Sequence, residues 1–117
     1  GAHVIQPVLK ISNKYAVTGI GNFLSNQPGD ERRLCSQCPK STQDGMIAWF
    51  NISDRPNGNV SVIDAGYVPT WVDRSTYEII PIGVDEPDTI EPATLKESEN
   101  RTKEVIGEGL RRLLFRN

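Results

Sequence analysis

Residues 44–72 read "DGMIAWFNIS" (44–53), "DRPNGN" (54–59) and "VSVIDAGYVPTWV" (60–72). The outer pieces are rich in β-branched and aromatic side chains, which suit a pleated, half-buried surface. The centre gathers Pro56, Asn57, Gly58 and Asn59. Two strand patterns around a Pro/Asn/Gly centre predict a β-hairpin.

Toward the N-terminus, residues 24–44 are polar, with Pro28-Gly29 and Pro39 as breakers, and predict a long loop. Loops of that length tend to be functional or disordered. Before it, "YAVTGIGNF" (15–23) is a strand pattern ending in two glycines. "HVIQPVLKIS" (3–12) sets Val4, Val8 and Ile11 among polar residues, and Pro7 forbids a central helical turn. With a tight turn at Asn13-Lys14, this region predicts a second hairpin.

Toward the C-terminus, "YEIIPIG" (77–83) is a short strand pattern and "VDEPDTIEP" (84–92) an acidic, proline-broken linker. Pro92 suits a first helical turn. Beyond it, "ATLKESENRTKEVI" (93–106) brings Leu95, Thr102, Val105 and Ile106 near one face, before Gly107 and Gly109 stop the helix. Leu110, Leu113, Leu114 and Phe115 form a further apolar patch, read as a short helical tail. The fold class expected is α+β: mostly antiparallel strands with one or two C-terminal helices. The chain divides into a β-rich region, 1–90, and a helical segment, 91–117.

At 117 residues the chain is sized for one modest core. Thirteen basic and fifteen acidic side chains leave a net charge of −2, with both signs spread along the chain, which argues against nucleic acid as a partner. No apolar run approaches the roughly 18 residues of a membrane span. The opening Gly1-Ala2-His3 lacks an initiator Met and leads directly into an apolar alternation, so a piece of a longer protein is expected.

Few residues carry obvious chemistry. Cys35-Ser36-Gln37-Cys38 is one pair of cysteines; with His3 the only histidine, the chain is short of the four ligands of a structural zinc site. A redox dithiol would want a helix after the first Cys, and Pro39 does not suit one. A loop-local disulfide or two idle thiols is the plainer reading. His3, alone at a chain end, cannot form a metal or general-base site unaided. Gly19 and Gly21 allow a sharp bend or a close backbone approach, Asn22 can present its amide at the strand rim, and Phe23 can fold back into the core. Tyr67 and Trp71 read as core aromatics.

Taken together, "HVIQPV", "YAVTGIGNFLSNQ", "TQDGMIAWFNI" and "VIDAGYVPTWVDRSTYEIIPI" resemble, in order over residues 3 to about 82, the C-terminal part of CapA-type proteins. These form the bacterial capsule and poly-γ-glutamate synthesis family, similar in turn to the calcineurin-like metallophosphoesterases. The resemblance implies part of an αββα sandwich whose metal-ligand segments lie mostly upstream. The parent would be a metal-dependent hydrolase holding a divalent metal (manganese, zinc or iron); no cofactor and little activity are expected of this chain alone.

The family pattern before the first strand is Gly-x-His-Pro-His-Val, and this chain departs from it with Gly1-Ala2-His3-Val4. His3 is thereby the candidate metal ligand or catalytic histidine. Asn22, within the Gly21-Asn22-Phe23 motif, is the second candidate catalytic residue, placed near the active-site face. Asp44-Gly45 matches the family's Asp-Gly ahead of the next strand, where the bare reading is a turn. The implied location is extracytoplasmic, at the bacterial cell envelope, with a membrane-anchored parent. A disulfide is stable there, which turns the reading of Cys35 and Cys38 toward a clasp. The implied partners are an anionic capsule polymer or membrane synthase subunits, and strands left unpaired invite a homodimer. The alternative is a non-catalytic β-rich module that binds such a polymer or a membrane-complex partner.

Overall fold

The structure, a computed structural model, describes residues 1–25 and 38–114. Strands β1 (Val8–Ile11) and β2 (Lys14–Val17) form a two-stranded antiparallel sheet with Val8 opposite Val17. Ser12 and Asn13 between them take φ of 48° and 63°. Two consecutive left-handed residues make the tight turn whose twist matches the flanking strands, and Asn tolerates that region well.

A second sheet holds β3 (Asp44–Asp54), β4 (Val60–Asp73) and β5 (Glu78–Pro81) in that order, all antiparallel. A two-residue strand, β6 (Arg111–Arg112), pairs with β4 in parallel at Gly66 and Tyr67. The hairpin expected over 44–72 is therefore present, with Asp44 opposite Trp71, Asp54 opposite Val60 and a register shift between Asn51 and Ile52. Pro69 lies well inside β4, where a missing N–H usually breaks a ladder. It sits opposite Met46, whose own N–H turns away to Ile20 O at 3.0 Å, so β3 asks for no donor there. On its other side Pro69 falls between β6 and the C-terminal end of β5, and its carbonyl accepts from Ile82 N–H at 2.9 Å.

A hairpin needs cover on its apolar face. Helix α1 (Pro92–Ile106) covers one end, burying Leu95, Ser98, Thr102 and Ile106 at helical spacing. Gly107, at φ 54°, ends the helix and returns its N–H to Lys103 O at 2.9 Å. One core cluster joins Ile5, Val8, Met46, Tyr67, Ile106 and Leu110, with Tyr15 and Phe50 in ring contact at its margin. The other joins Trp71, Ile80, Ile82 and Leu95. Tyr67 and Trp71 are thus core aromatics, and burial pushes the Tyr67 phenol above its ordinary pKa.

The coarse class is as expected: mostly antiparallel strands in two sheets with one helix. Four details differ. The expected helical tail is instead β6 among the described residues, because Leu113 N–H bonds Tyr67 O at 2.9 Å and so extends the sheet edge; Phe115 lies outside the described residues. Val105, expected on the buried face, is 38% exposed, and Ser98 takes the inward position. The loop expected over 24–44 contains a 3-10 turn at Lys40–Gln43, and Asp44 belongs to β3 rather than to a turn. Phe23 does not fold into the core and remains 43% exposed.

Candidate functional site

The two short motifs meet backbone to backbone. Gly21 and Gly45 form an isolated antiparallel bridge, so the strand end carrying Gly21-Asn22-Phe23 crosses the start of β3. Gly21 has φ 73°, and a Cβ there would lie 2.3 Å from Asp44 O. A Cβ on Gly45 would lie 2.8 Å from both Asn22 O and Thr70 Oγ1. Only residues without side chains permit this approach, which fixes Asn22 beside β3.

Asn22 in turn orients His3, nineteen positions away in sequence. Its Nδ2 donates to Thr42 O at 2.9 Å, which assigns the amide because a carbonyl can only accept. The Oδ1 is left facing His3 Nδ1 at 3.2 Å. An amide oxygen has no proton to give, so Nδ1 of neutral His3 must carry the hydrogen and Nε2 the lone pair. The ring is exposed. A histidine held by one nitrogen with the other nitrogen basic and open is the form that accepts a proton or ligates a cation.

Asp44 stands behind this pair in a different role. It is 2% exposed, and Arg101 grips it through Nε to Oδ2 at 2.7 Å and Nη2 to Oδ1 at 2.8 Å. Ser98 Oγ donates to Oδ1 at 2.6 Å. The hydrogen bonds that Arg101 donates to Asp44 hold its guanidinium above its ordinary pKa. With both oxygens engaged, Asp44 anchors α1 to the start of β3 rather than offering a free carboxylate. Beside it, Val4, Ile5, Ser41 and Thr102 help line a small cavity of about 110 Å³.

The structure thus brings His3, Gly21, Asn22, Asp44 and Gly45 into one neighbourhood and leaves Phe23 at its surface. Cys38 is disulfide-bonded; Cys35 lies outside the described residues. Among the described residues no three of His, Cys, Asp and Glu cluster as a metal set. Among the described residues the donor set is one imidazole nitrogen beside a carboxylate already engaged by Ser98 and Arg101, so this neighbourhood offers a metal one ligand at most. Sequence reasoning missed Ser98 and Arg101. The signal was a serine on the helix stripe Leu95, Ser98, Thr102, Ile106, where a polar residue facing inward needs a partner.

No family model matches the chain, no curated protein matches it, and no solved structure matches it.

Proposed function

We propose that this chain is the C-terminal region of a CapA-like protein acting in bacterial capsule or poly-γ-glutamate synthesis, transfer or anchoring, at the cell envelope. The parent is then metallophosphoesterase-like, with His3 and Asn22 on its active-site face. The observation that supports this reading most is the His3–Asn22–Thr42 relay, because it leaves His3 Nε2 basic and open. The meeting of the Gly21-Asn22-Phe23 and Asp44-Gly45 motifs at one bridge also supports it, since that contact is what positions Asn22. In this reading His3 contributes one ligand or one proton acceptor to a centre completed by upstream segments, and Asn22 is a positioning residue. A divalent metal, when bound there, would supply charge neutralisation and an activated water.

The test is the metal content of the full-length parent. Stoichiometric manganese, zinc or iron is expected, with affinity lowered by about 10–100-fold in Asn22→Ala, which removes the partner behind the ligand, and by more in His3→Ala, which removes the ligand itself. A full-length protein that binds no divalent metal contradicts the reading.

A non-catalytic module for an anionic polymer is less well supported. Lys40, Lys96, Arg101, Arg111 and Arg112 each face a carboxylate of the chain, which reduces the positive charge that these five residues offer to a polyanion.

A further inference from the structure

Strand β3 is the outermost strand of its sheet, paired to β4 along one edge only. On the opposite edge Met46 N–H reaches Ile20 O, and the chain carrying Ile20 and Gly21 then departs. By strand alternation Ala48, Phe50 and Ile52 also point their N–H and C=O outward. No described strand takes that edge from Ile47 to Ser53. An apolar groove of about 590 Å³ opens there, between Val17, Ile20 and Phe23 on one side and Ala48 and Phe50 on the other. Along the strand Ile47, Trp49 and Ile52 remain 43%, 38% and 59% exposed.

Natural edges are commonly blunted by lysine, proline or an inward charge. Residues 45–53, "GMIAWFNIS", contain none of these in a chain that is 24% charged. What satisfies outward N–H and C=O groups in a row is another extended backbone, and what fits this groove is an uncharged, largely apolar one.

We propose that this edge is a strand-addition surface whose occupant is β3 of a second copy, paired antiparallel about a two-fold axis at Phe50. The second copy's β3 is itself extended, uncharged over the same run and in need of the same partner, as an isologous contact requires. The register follows from what blocks the edge. Ile20 and Gly21 occupy it at Gly45 and Met46, so the open outward residues centre on Phe50. Phe50 then faces Phe50 of the second copy, Ala48 faces its Ile52, and Trp49 lies opposite its Asn51. Asp44 and Asp54 fall outside the paired run, so no like charges oppose each other within it. This inference does not depend on the role given to His3.

Sedimentation equilibrium on the full chain, with amide hydrogen exchange on the same samples, tests it. A concentration-dependent dimer is expected, in which the Ala48, Phe50 and Ile52 amides slow as the dimer fills. Ala48→Pro removes an N–H that β4 does not use, so the fold should persist while dimerisation weakens at least about tenfold. Ile52→Lys, at an exposed position, gives an edge lysine with the same expected effect and decides the matter if the proline variant fails to fold. A chain that stays monomeric throughout, or a dimer indifferent to Ile52→Lys whose Ala48 and Phe50 amides exchange freely, overturns the proposal.

Discussion

Arg101 closes on Asp44 as a fork, Nε to Oδ2 at 2.7 Å and Nη2 to Oδ1 at 2.8 Å, across fifty-seven positions of sequence. The contact joins the middle of α1 to the first residue of β3. Asp44 is buried while Arg101 is half-buried and also neighbours Glu97, so Arg101→Met, which strands the buried carboxylate, is expected to cost about 3 kcal/mol and Asp44→Asn less. In chemical denaturation the two substitutions should be strongly non-additive, the double variant being little worse than either single one. Additive losses would mean that the pair does not act as a unit.

Glu99 sets part of the acid limit. Burial alone would push its carboxyl up, but Lys96 at 2.8 Å and Arg112 beside it hold it below its ordinary value. A carboxyl with a depressed folded pKa adds stability above its unfolded pKa and loses it as pH falls through the lower folded one. Asp73, lowered by hydrogen bonds from Ser75 and Thr76 against the opposing effect of burial, works in the same direction. Melting temperature should therefore fall on the acid side of the ordinary carboxylate range. Glu99→Gln should lower stability at neutral pH by about 1–3 kcal/mol and flatten that acid slope. An unchanged slope would show that Glu99 is not part of it.

Two glycines with similar positive φ should respond differently to alanine. Gly58, at φ 78°, has open space around its missing Cβ, so Gly58→Ala is expected to cost only the left-handed penalty of roughly 1–2 kcal/mol. Gly21, at φ 73°, would also drive its Cβ into Asp44 O, which is backbone and cannot swing away. Gly21→Ala should cost clearly more, and it should disturb the His3–Asn22 contact that Gly58→Ala leaves intact. Equal losses in thermal melts would contradict the crossing as described.

Thr102 is 1% exposed, and its hydroxyl has no hydrogen-bond partner. Thr102→Val keeps the shape and the β-branch while removing an unsatisfied polar group, and is expected to raise stability by about 1 kcal/mol or more. A lower melting temperature would show that the hydroxyl is satisfied in solution.

Local signals in the chain foretold local structure. The Pro/Asn/Gly centre at 56–59, Pro92 and Gly107 each act within a few residues and mark an element boundary that the structure has, while the turn expected at Asn13-Lys14 falls one residue earlier, at Ser12-Asn13, with Lys14 opening β2. What depends on distant partners was less legible. Leu110 to Leu114 carries apolar residues that suit a helix, yet the segment is drawn into β6 by Tyr67 O, more than forty positions away. Phe23 looked like a core aromatic, but the Gly21–Gly45 crossing directs the chain so that it stays outside. At the candidate site His3, Asn22 and Asp44 could be singled out beforehand. That Asn22 bonds His3 while Asp44 is consumed by Ser98 and Arg101 could not, because the choice is made by packing α1 onto β3.

Asn22 fixes the tautomer of His3, and long-range proton–nitrogen NMR of the ring reads that directly. His3 is the only histidine, so its two ring nitrogens need no assignment from others. In its neutral form His3 is expected to carry the proton at Nδ1 and to be bare at Nε2, with that preference lost in Asn22→Ala. A ring protonated at Nε2, or a tautomer indifferent to Asn22→Ala, would contradict the site as built here.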